Sequence, residues 1–334
     1  MIWFWLGFFA LVALLLFLDL GVLHRKATEP TMKSSIAWTI AWMALGLAFT
    51  GVVYLMYENH WLGAHLKGCP PGHGDGQDAS ITYVSAYLLE QALSIDNIFV
   101  MTLLFRSFRV PLKYQHRVLF WGILGAIGFR VTMLCGGAFI ANQFSQVFYI
   151  FGGYLAWQGI KLLREGDEPG DDEHDRSVTV RILRRFVRIV DGDHGGKFTI
   201  RINGRRALTT VAVCLVVIEL TDIVFALDSI PAVMSVSRET FIMVTSNIFA
   251  IMGLRSLYFV LAGAMTKFRY LKIALAVLLM MIGGKMIAHE YDESLDMGHL
   301  MSLALIAGII AAGVIASMIA TRRDAAKAAR LSGV

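Results

Sequence analysis

The chain has 334 residues, of which 57% are hydrophobic and 16% are charged. Soluble domains contain about 45–50% apolar and about 25% charged residues, so this composition argues against a soluble protein. The formal net charge is +5, but the basic residues lie mostly between apolar segments. Membrane topology explains them without nucleic acid, and the expected partner is a lipid bilayer.

Apolar runs of about 20 residues recur along almost the whole chain, as expected for a polytopic helical membrane protein. We predict an all-α fold with about nine transmembrane helices. The first run has no basic start and no small-residue cleavage site, so we do not interpret it as a signal peptide. In chain order the predicted spans are 2–23, 35–57, 83–108, 117–140, 146–163, 208–234, 239–265, 270–288 and 298–321.

The placement of lysine and arginine predicts the orientation. The connections around residues 25–33, 106–117 and 267–272, the long insert after the fifth span and the tail after residue 321 are basic, whereas the alternate connections are neutral or acidic. Basic connections stay in the cytoplasm. The N-terminus is therefore expected outside and the C-terminus in the cytoplasm.

The polar insert at residues 164–207 interrupts the apolar pattern. It begins with acidic residues and ends in KFTIRINGRRALT, which predicts two short strands joined at Asn203-Gly204. We expect a small cytoplasmic α/β insert. The chain then divides into residues 1–82 with two spans and an external loop, 83–163, the insert 164–207, 208–288, and 289–334 with the last span and tail.

Acidic side chains lie deep inside two of the predicted spans. The third span carries Glu90 and Asp96, and the sixth carries Asp222 and Asp228 at the same separation of six positions. An Asp at membrane depth costs roughly 2.5–3.5 kcal/mol on insertion scales, so such residues are rarely accidental. We interpret the two segments as halves of one cation site.

The two segments belong to a longer internal duplication. Aligning Glu90 with Asp222 also aligns Asn97 with Ser229. Downstream, in the next helix, the GFR that ends at Arg130 matches the GLR that ends at Arg255. Three helices repeat, over residues 83–163 and 208–288, and the topology gives them opposite directions. Inverted repeats are typical of secondary transporters, whose substrate site lies near the midplane between the repeats.

The candidate ligands are hard oxygen donors, which suit Mg²⁺, Ca²⁺ or Mn²⁺ better than zinc or copper. Residues six apart on a regular helix are offset by roughly 120°, so we expect Pro231 to kink or unwind the helix and turn Asp228 toward the ion. An alternative is that the acids form buried ion pairs and bind nothing. The predicted metal ligands are Glu90, Asp96, Asn97, Glu219, Asp222, Asp228 and Ser229, with Arg130 and Arg255 as counter-charges and Asp19 as an accessory.

The remaining motifs are weak. An external loop contains His60, His65, Cys69, His73, Asp75 and Asp78, which could collect metal but first indicates a flexible turn. The three cysteines lack metal or disulfide spacing. The GGK tripeptides lack the rest of a phosphate loop, and no catalytic triad is evident. We expect neither an enzyme nor a permanent cofactor.

With these residues in hand, the sequence resembles the TerC family of integral membrane proteins, and within it the Alx-like branch. The match is carried by LLEQALSIDNIFV, IELTDIVFALDSIPAV and FTIRINGRRALTT. The resemblance implies a bacterial inner-membrane protein, from a family named for tellurium resistance, that exports Mn²⁺ through the intramembrane acids named above. Manganese is implied by the family and was not selected by the residues themselves.

We therefore expect a secondary transporter that moves Mn²⁺ out of the cytoplasm, driven by H⁺ or Na⁺ exchange. A Ca²⁺/H⁺ exchanger on the same scaffold is one alternative. A membrane scaffold in the metal or tellurite stress response, with no transport, is another. A homo-oligomer is left open.

Overall fold

The computed structural model describes residues 2–18, 31–61, 75–144, 146–164, 189–190, 195–202, 205–262, 269–292 and 298–331. These residues form nine helices and three short strands. The elements are α1 (Ile2–Leu18), α2 (Met32–Glu58), α3 (Gly76–Ser107), α4 (Leu112–Gln143), α5 (Val147–Arg164), β1 (Ile189–Val190), β2 (Thr199–Ile202), β3 (Arg205–Thr209), α6 (Thr210–Val236), α7 (Thr240–Ala262), α8 (Arg269–Tyr291) and α9 (His299–Leu331).

Seven of the nine described helices are long and apolar enough to cross a membrane. The exceptions are α1, with 17 residues, and α5, with 18 residues that end in Lys161 and Arg164. Seventeen residues give a helix of about 26 Å, slightly short of a hydrocarbon core of about 30 Å. A polytopic helical membrane protein is confirmed, and a count of nine spans stays a prediction.

The helices of residues 76–164 pack against those of residues 210–291. Helix α3 contacts α2, α6, α7 and α9, α4 contacts α6 and α7, and α5 packs along α8. Gly122 and Gly137 of α4 face Ile218 and Ile230 of α6, so these two helices run in the same direction. Helix α1 joins the bundle through aromatic contacts, such as Phe8 with Phe249.

Helices α5 and α8 approach each other through glycine. A methyl group added at Gly283 would lie 2.5 Å from the carbonyl oxygen of Gly152, and one added at Gly159 would lie 2.6 Å from the carbonyl oxygen of Ala276. Small residues of this kind allow membrane helices to pack backbone to backbone. The position of α5 is thus fixed by direct contact with α8.

A three-stranded sheet precedes α6. Strands β2 and β3 are antiparallel, with Thr199 opposite Leu208, and β1 pairs in parallel with β3. The two strands predicted on either side of Asn203-Gly204 are present, although the turn itself and residues 165–188 lie outside the described residues. Arg117 at the start of α4 donates to the Gly196 carbonyl (3.2 Å) and lies over the Phe198 ring, which ties the sheet to the bundle.

The sequence predicts that Pro231 kinks or unwinds its helix; the unwinding is wrong, and a kink stays a prediction. Helix α6 remains α-helical from Thr210 to Val236 with Pro231 inside it, so no turn is unwound there. Proline removes one backbone donor, and membrane helices tolerate this loss when neighbouring groups compensate. Asp222 and Asp228 thus lie six positions apart on one continuous helix.

Candidate functional site

Three charged side chains from three helices meet inside the bundle. Arg130 of α4 donates to Glu90 of α3 through Nη1 and to Asp222 of α6 through Nε (3.3 Å) and Nη2 (3.1 Å). The three residues are 2%, 0% and 4% exposed, respectively. A forked guanidinium contact of this kind fixes both carboxylates. The structure therefore joins the Arg130 motif to acids from both predicted repeats.

Glu219 lies one turn before Asp222 and interacts with it electrostatically. Its carboxylate packs directly on Gly125 of α4, where an added methyl group would collide with it. The Oε2 atom of Glu219 is buried without a hydrogen-bond partner among the described residues. Glu219 thus places a further carboxyl group beside the Arg130 contact.

Asp228 belongs to a different environment. Its Oδ1 accepts a hydrogen bond from the Tyr154 hydroxyl (2.7 Å), and Gln158 Nε2 donates to Oδ1 (3.0 Å) and Oδ2 (2.9 Å). Asp96 lies close enough to Asp228 to interact with it electrostatically, and Lys272 also acts on Asp96. Both aspartates are partly exposed, in contrast to the Arg130 group.

Helices α3 and α6 also carry buried oxygen atoms without hydrogen-bond partners among the described residues. Glu90 Oε2, Ser94 Oγ and Ser229 Oγ are buried and form no hydrogen bond with any described residue. Asn97 lines a narrow crevice between α3 and α6, opposite Asp222. These two helices thus supply oxygen atoms that no described hydrogen bond uses.

The predicted ligands consequently fall into two groups. Arg130 joins Glu90 and Asp222 in one, and α5 holds Asp228 near Asp96 in the other. Within the described residues, no three His, Cys, Asp or Glu side chains come together as a metal-binding cluster. Arg255 is buried in α7, and its pairing with the acids stays a prediction, while Asp19 lies outside the described residues.

Tyr154 and Gln158 were not predicted from the sequence. They lie four positions apart on α5, so they share a helix face. The predicted internal duplication contained a signal for these two residues. The alignment that pairs Gly159 with Gly283 also pairs Tyr154 with Leu278 and Gln158 with Ile282. Polar residues at these positions in only one repeat distinguish α5 from α8.

Comparison with known proteins decides the family. The sequence profile described as "Integral membrane protein TerC family" matches residues 75–325. The chain belongs to the TerC family. This match covers all of the helices that contribute to the two acidic groups. With seven candidate spans in the described residues, the protein is an integral membrane protein, consistent with a bacterial inner membrane.

Several relatives cover almost the whole chain. An "Uncharacterized membrane protein STKORF319" of Myxococcus xanthus is 38% identical over 95% of this chain and 92% of its own length. An "Uncharacterized membrane protein" of Rickettsia felis is 35% identical over 94% and 97%. A protein of Escherichia coli K12 named "Putative membrane-bound redox modulator Alx" is 37% identical over 86% of both chains. No solved structure matches the chain.

Proposed function

We propose that this TerC protein is a secondary transporter that exports Mn²⁺ from the cytoplasm through the carboxylates of α3 and α6. One observation carries the proposal: acids from these two helices meet at membrane depth, with Glu90 and Asp222 on one guanidinium. Ionisable groups inside membrane spans mark substrate and ion pathways. Glu219 and Asn97 supply further oxygen ligands near Asp222, and Ser229 follows Asp228 on α6.

The packing of the helices supports an inverted repeat. In the predicted repeat, α3, α4 and α5 correspond to α6, α7 and α8, in that order. Under this correspondence the contact of α3 with α7 matches the contact of α6 with α4, and the contact of α5 with α8 matches itself. Gly152 faces Gly283 and Gly159 faces Ala276, so α5 and α8 are antiparallel. Rocking one unit against the other would expose the acids to each side of the membrane alternately.

Arg130 provides a counter-charge for the state without substrate. Glu90, Asp222 and Arg130 together carry a charge of −2 + 1 = −1. A divalent cation in place of the guanidinium would give −2 + 2 = 0. We propose that the ion and Arg130 compete for the two carboxylates, and that H⁺ or Na⁺ entering in exchange helps to release the ion.

The orientation follows from the charged connections. The contact between Arg117 and Gly196 brings the sheet to the same end of the bundle as the basic connection between α3 and α4. We place this end in the cytoplasm, with the N-terminus outside. The acids would then receive ions from the side of the membrane that carries the sheet.

Transport by purified protein in liposomes tests the proposal. Mn²⁺ flux is followed with a trapped fluorophore under an imposed pH or sodium gradient, and Ca²⁺ and Mg²⁺ are tested in parallel. We expect Mn²⁺ flux that Asp222→Asn abolishes, whereas Asp292→Asn, at an exposed position after α8, has no effect. A wild-type protein without flux, or an Asp222→Asn variant with normal flux, contradicts it. Larger Ca²⁺ flux would favour a Ca²⁺/H⁺ exchanger.

A scaffold that does not transport is the second candidate. It is favoured by the fact that Arg130 already pairs with Glu90 and Asp222. Buried ion pairs can have a purely structural role. A scaffold in the metal or tellurite stress response predicts that Asp222→Asn leaves cellular manganese unchanged, whereas an exporter predicts that manganese accumulates.

A further inference from the structure

Helix α5 holds Asp228 by three hydrogen bonds from neutral donors. Tyr154 approaches Oδ1 at 2.7 Å, and the Gln158 amide spans both carboxylate oxygens at 3.0 and 2.9 Å. These contacts join residues 70 and 74 positions apart in the chain. They fix the orientation of the carboxylate without neutralising its charge.

The helix that carries Tyr154 and Gln158 packs closely against α8. Gly152 and Gly159, which flank Tyr154 and Gln158, are in close contact with α8. The Tyr154 ring also packs against Trp157, with 6.0 Å between the ring centroids. Asp228 is therefore oriented by side chains from a helix whose backbone is packed against α8.

This arrangement occurs in only one of the two repeats. The positions of α8 that align with Tyr154 and Gln158 are Leu278 and Ile282, which are 0% and 2% exposed. Apolar residues thus satisfy the packing of α8, and packing alone does not require polar residues in α5. The Tyr154 hydroxyl and the Gln158 amide instead donate hydrogen bonds to Asp228.

We propose that Tyr154 and Gln158 are positioning residues that set the affinity of the Asp96–Asp228 pair for a divalent cation. This inference rests on the proposed transport function. Asp96 and Asp228 belong to helices α3 and α6, which contact each other. A cation between the two carboxylates would relieve the repulsion between them. Lys272 interacts electrostatically with Asp96, and Lys161 interacts electrostatically with Asp228. The entering ion therefore competes with these ammonium groups.

The role of the two donors follows from metal-site chemistry. A carboxylate that binds a metal is commonly held by hydrogen bonds from neighbouring side chains, and losing such a partner lowers metal affinity by about 10–100-fold. The Asp96–Asp228 pair is partly exposed, whereas Glu90 and Asp222 are buried against Arg130. The described hydrogen-bond donors of Asp228 are a hydroxyl and an amide, so an ion that binds this carboxylate does not have to displace a guanidinium from it.

The test uses Tyr154→Phe and Gln158→Met in the full chain, both of which keep the size of the side chain. The control is Tyr149→Phe on the same helix, whose hydroxyl donates instead to the Glu290 carbonyl. Binding of Mn²⁺ to purified protein is measured from the loss of the free-ion signal in electron paramagnetic resonance. Transport in liposomes gives KM and Vmax separately.

We expect Tyr154→Phe and Gln158→Met each to raise the Kd and KM for Mn²⁺ about tenfold, with Vmax within about twofold of wild type. The control should match wild type in all three values. If Asp222→Asn abolishes flux while both α5 variants keep the wild-type Kd and KM, this inference is wrong and the transport proposal stands. If the wild-type protein neither binds nor moves Mn²⁺, both are wrong.

Discussion

Replacing Arg130 with Gln tests the competition between the guanidinium and a metal ion. The change leaves Glu90 and Asp222 buried, at 0% and 4% exposure, without their shared cation. Breaking a buried ion pair by removing one partner costs about 3–5 kcal/mol, because an uncompensated charge remains. We therefore expect Arg130→Gln to unfold at a clearly lower temperature than wild type in detergent.

Mn²⁺ should reverse this loss. A ligand that binds only the folded state at 100 times its Kd stabilises it by about 2.7 kcal/mol. In the variant no guanidinium competes with the ion for Glu90 and Asp222, so Mn²⁺ should raise its Tm more than it raises the Tm of wild type. Arg323→Gln, at an exposed position of α9, is the matched control and should behave as wild type.

Two results would refute the reasoning. An Arg130→Gln protein as stable as wild type would mean that the guanidinium does not compensate the two acids. A destabilised variant that Mn²⁺ does not rescue would mean that the carboxylates form a structural ion pair. The triple variant that also carries Glu90→Gln and Asp222→Asn should recover much of the stability, because neutral amides remain where charges were.

Two glycine substitutions test the packing around the acids, each against a control with open space. Gly283→Ala should lower the free energy of unfolding by about 1–3 kcal/mol through overpacking against α5, whereas Gly284→Ala, with no neighbour within 4 Å, should not, as measured by thermal unfolding. Gly125→Ala should displace the Glu219 carboxylate and weaken Mn²⁺ binding measured by paramagnetic resonance. Gly128→Ala, which meets no atom within 4 Å, should leave the binding unchanged.

The helices that hydropathy detects best were predicted best. The span predicted at 208–234 is helix Thr210–Val236, and the span at 239–265 corresponds to Thr240–Ala262. Helix α3, in contrast, begins at Gly76 rather than at residue 83. Its first turns contain Gln77, Asp78 and Ser80, and a hydropathy window does not detect helical turns that are rich in polar residues. The Ser80 hydroxyl donates to the Gly76 carbonyl within the first turn.

One part of the sheet could be predicted from local sequence, whereas the other part depends on residues that are distant in the chain. The strands on either side of Asn203-Gly204 could be predicted because they are adjacent in sequence and alternate in polarity. Strand β1 was not predicted, since Ile189 and Val190 form only two residues of strand. Their partners, Leu208 and Thr209, lie 19 positions further along the chain, so no local pattern indicates the pairing.

The candidate site was predicted in its composition but not in its arrangement. Motif matching identified Arg130 together with the acids of both repeats, and the structure brings Arg130 to Glu90 and Asp222. Tyr154 and Gln158 carried a weaker signal, the contrast with Leu278 and Ile282, because isolated polar residues on a helix are equally consistent with a solvated face. Only tertiary packing shows that they meet Asp228.

The separation of the acids into two groups follows from the regularity of α6. Six positions on a helix correspond to a rise of about 9 Å and an angular offset of roughly 120°. Asp222 and Asp228 therefore have different neighbours, Arg130 for the first and helix α5 for the second. A single ion cannot lie between these two carboxylates while α6 stays intact, so transport needs either transfer between the groups or a change in the helix.

Pro231→Ala distinguishes these possibilities. Helix α6 is already regular through Pro231, and Tyr154 and Gln158 orient Asp228 from another helix. If the ion passes between two groups on an intact helix, restoring a backbone donor at residue 231 should leave the KM and Vmax for Mn²⁺ within about twofold of wild type. If the cycle instead unwinds α6 at the proline to turn Asp228 toward Asp222, alanine should hold the helix closed. Vmax would then fall sharply in a protein that still binds Mn²⁺ with unchanged Kd, and two groups on a rigid helix would no longer explain the transport.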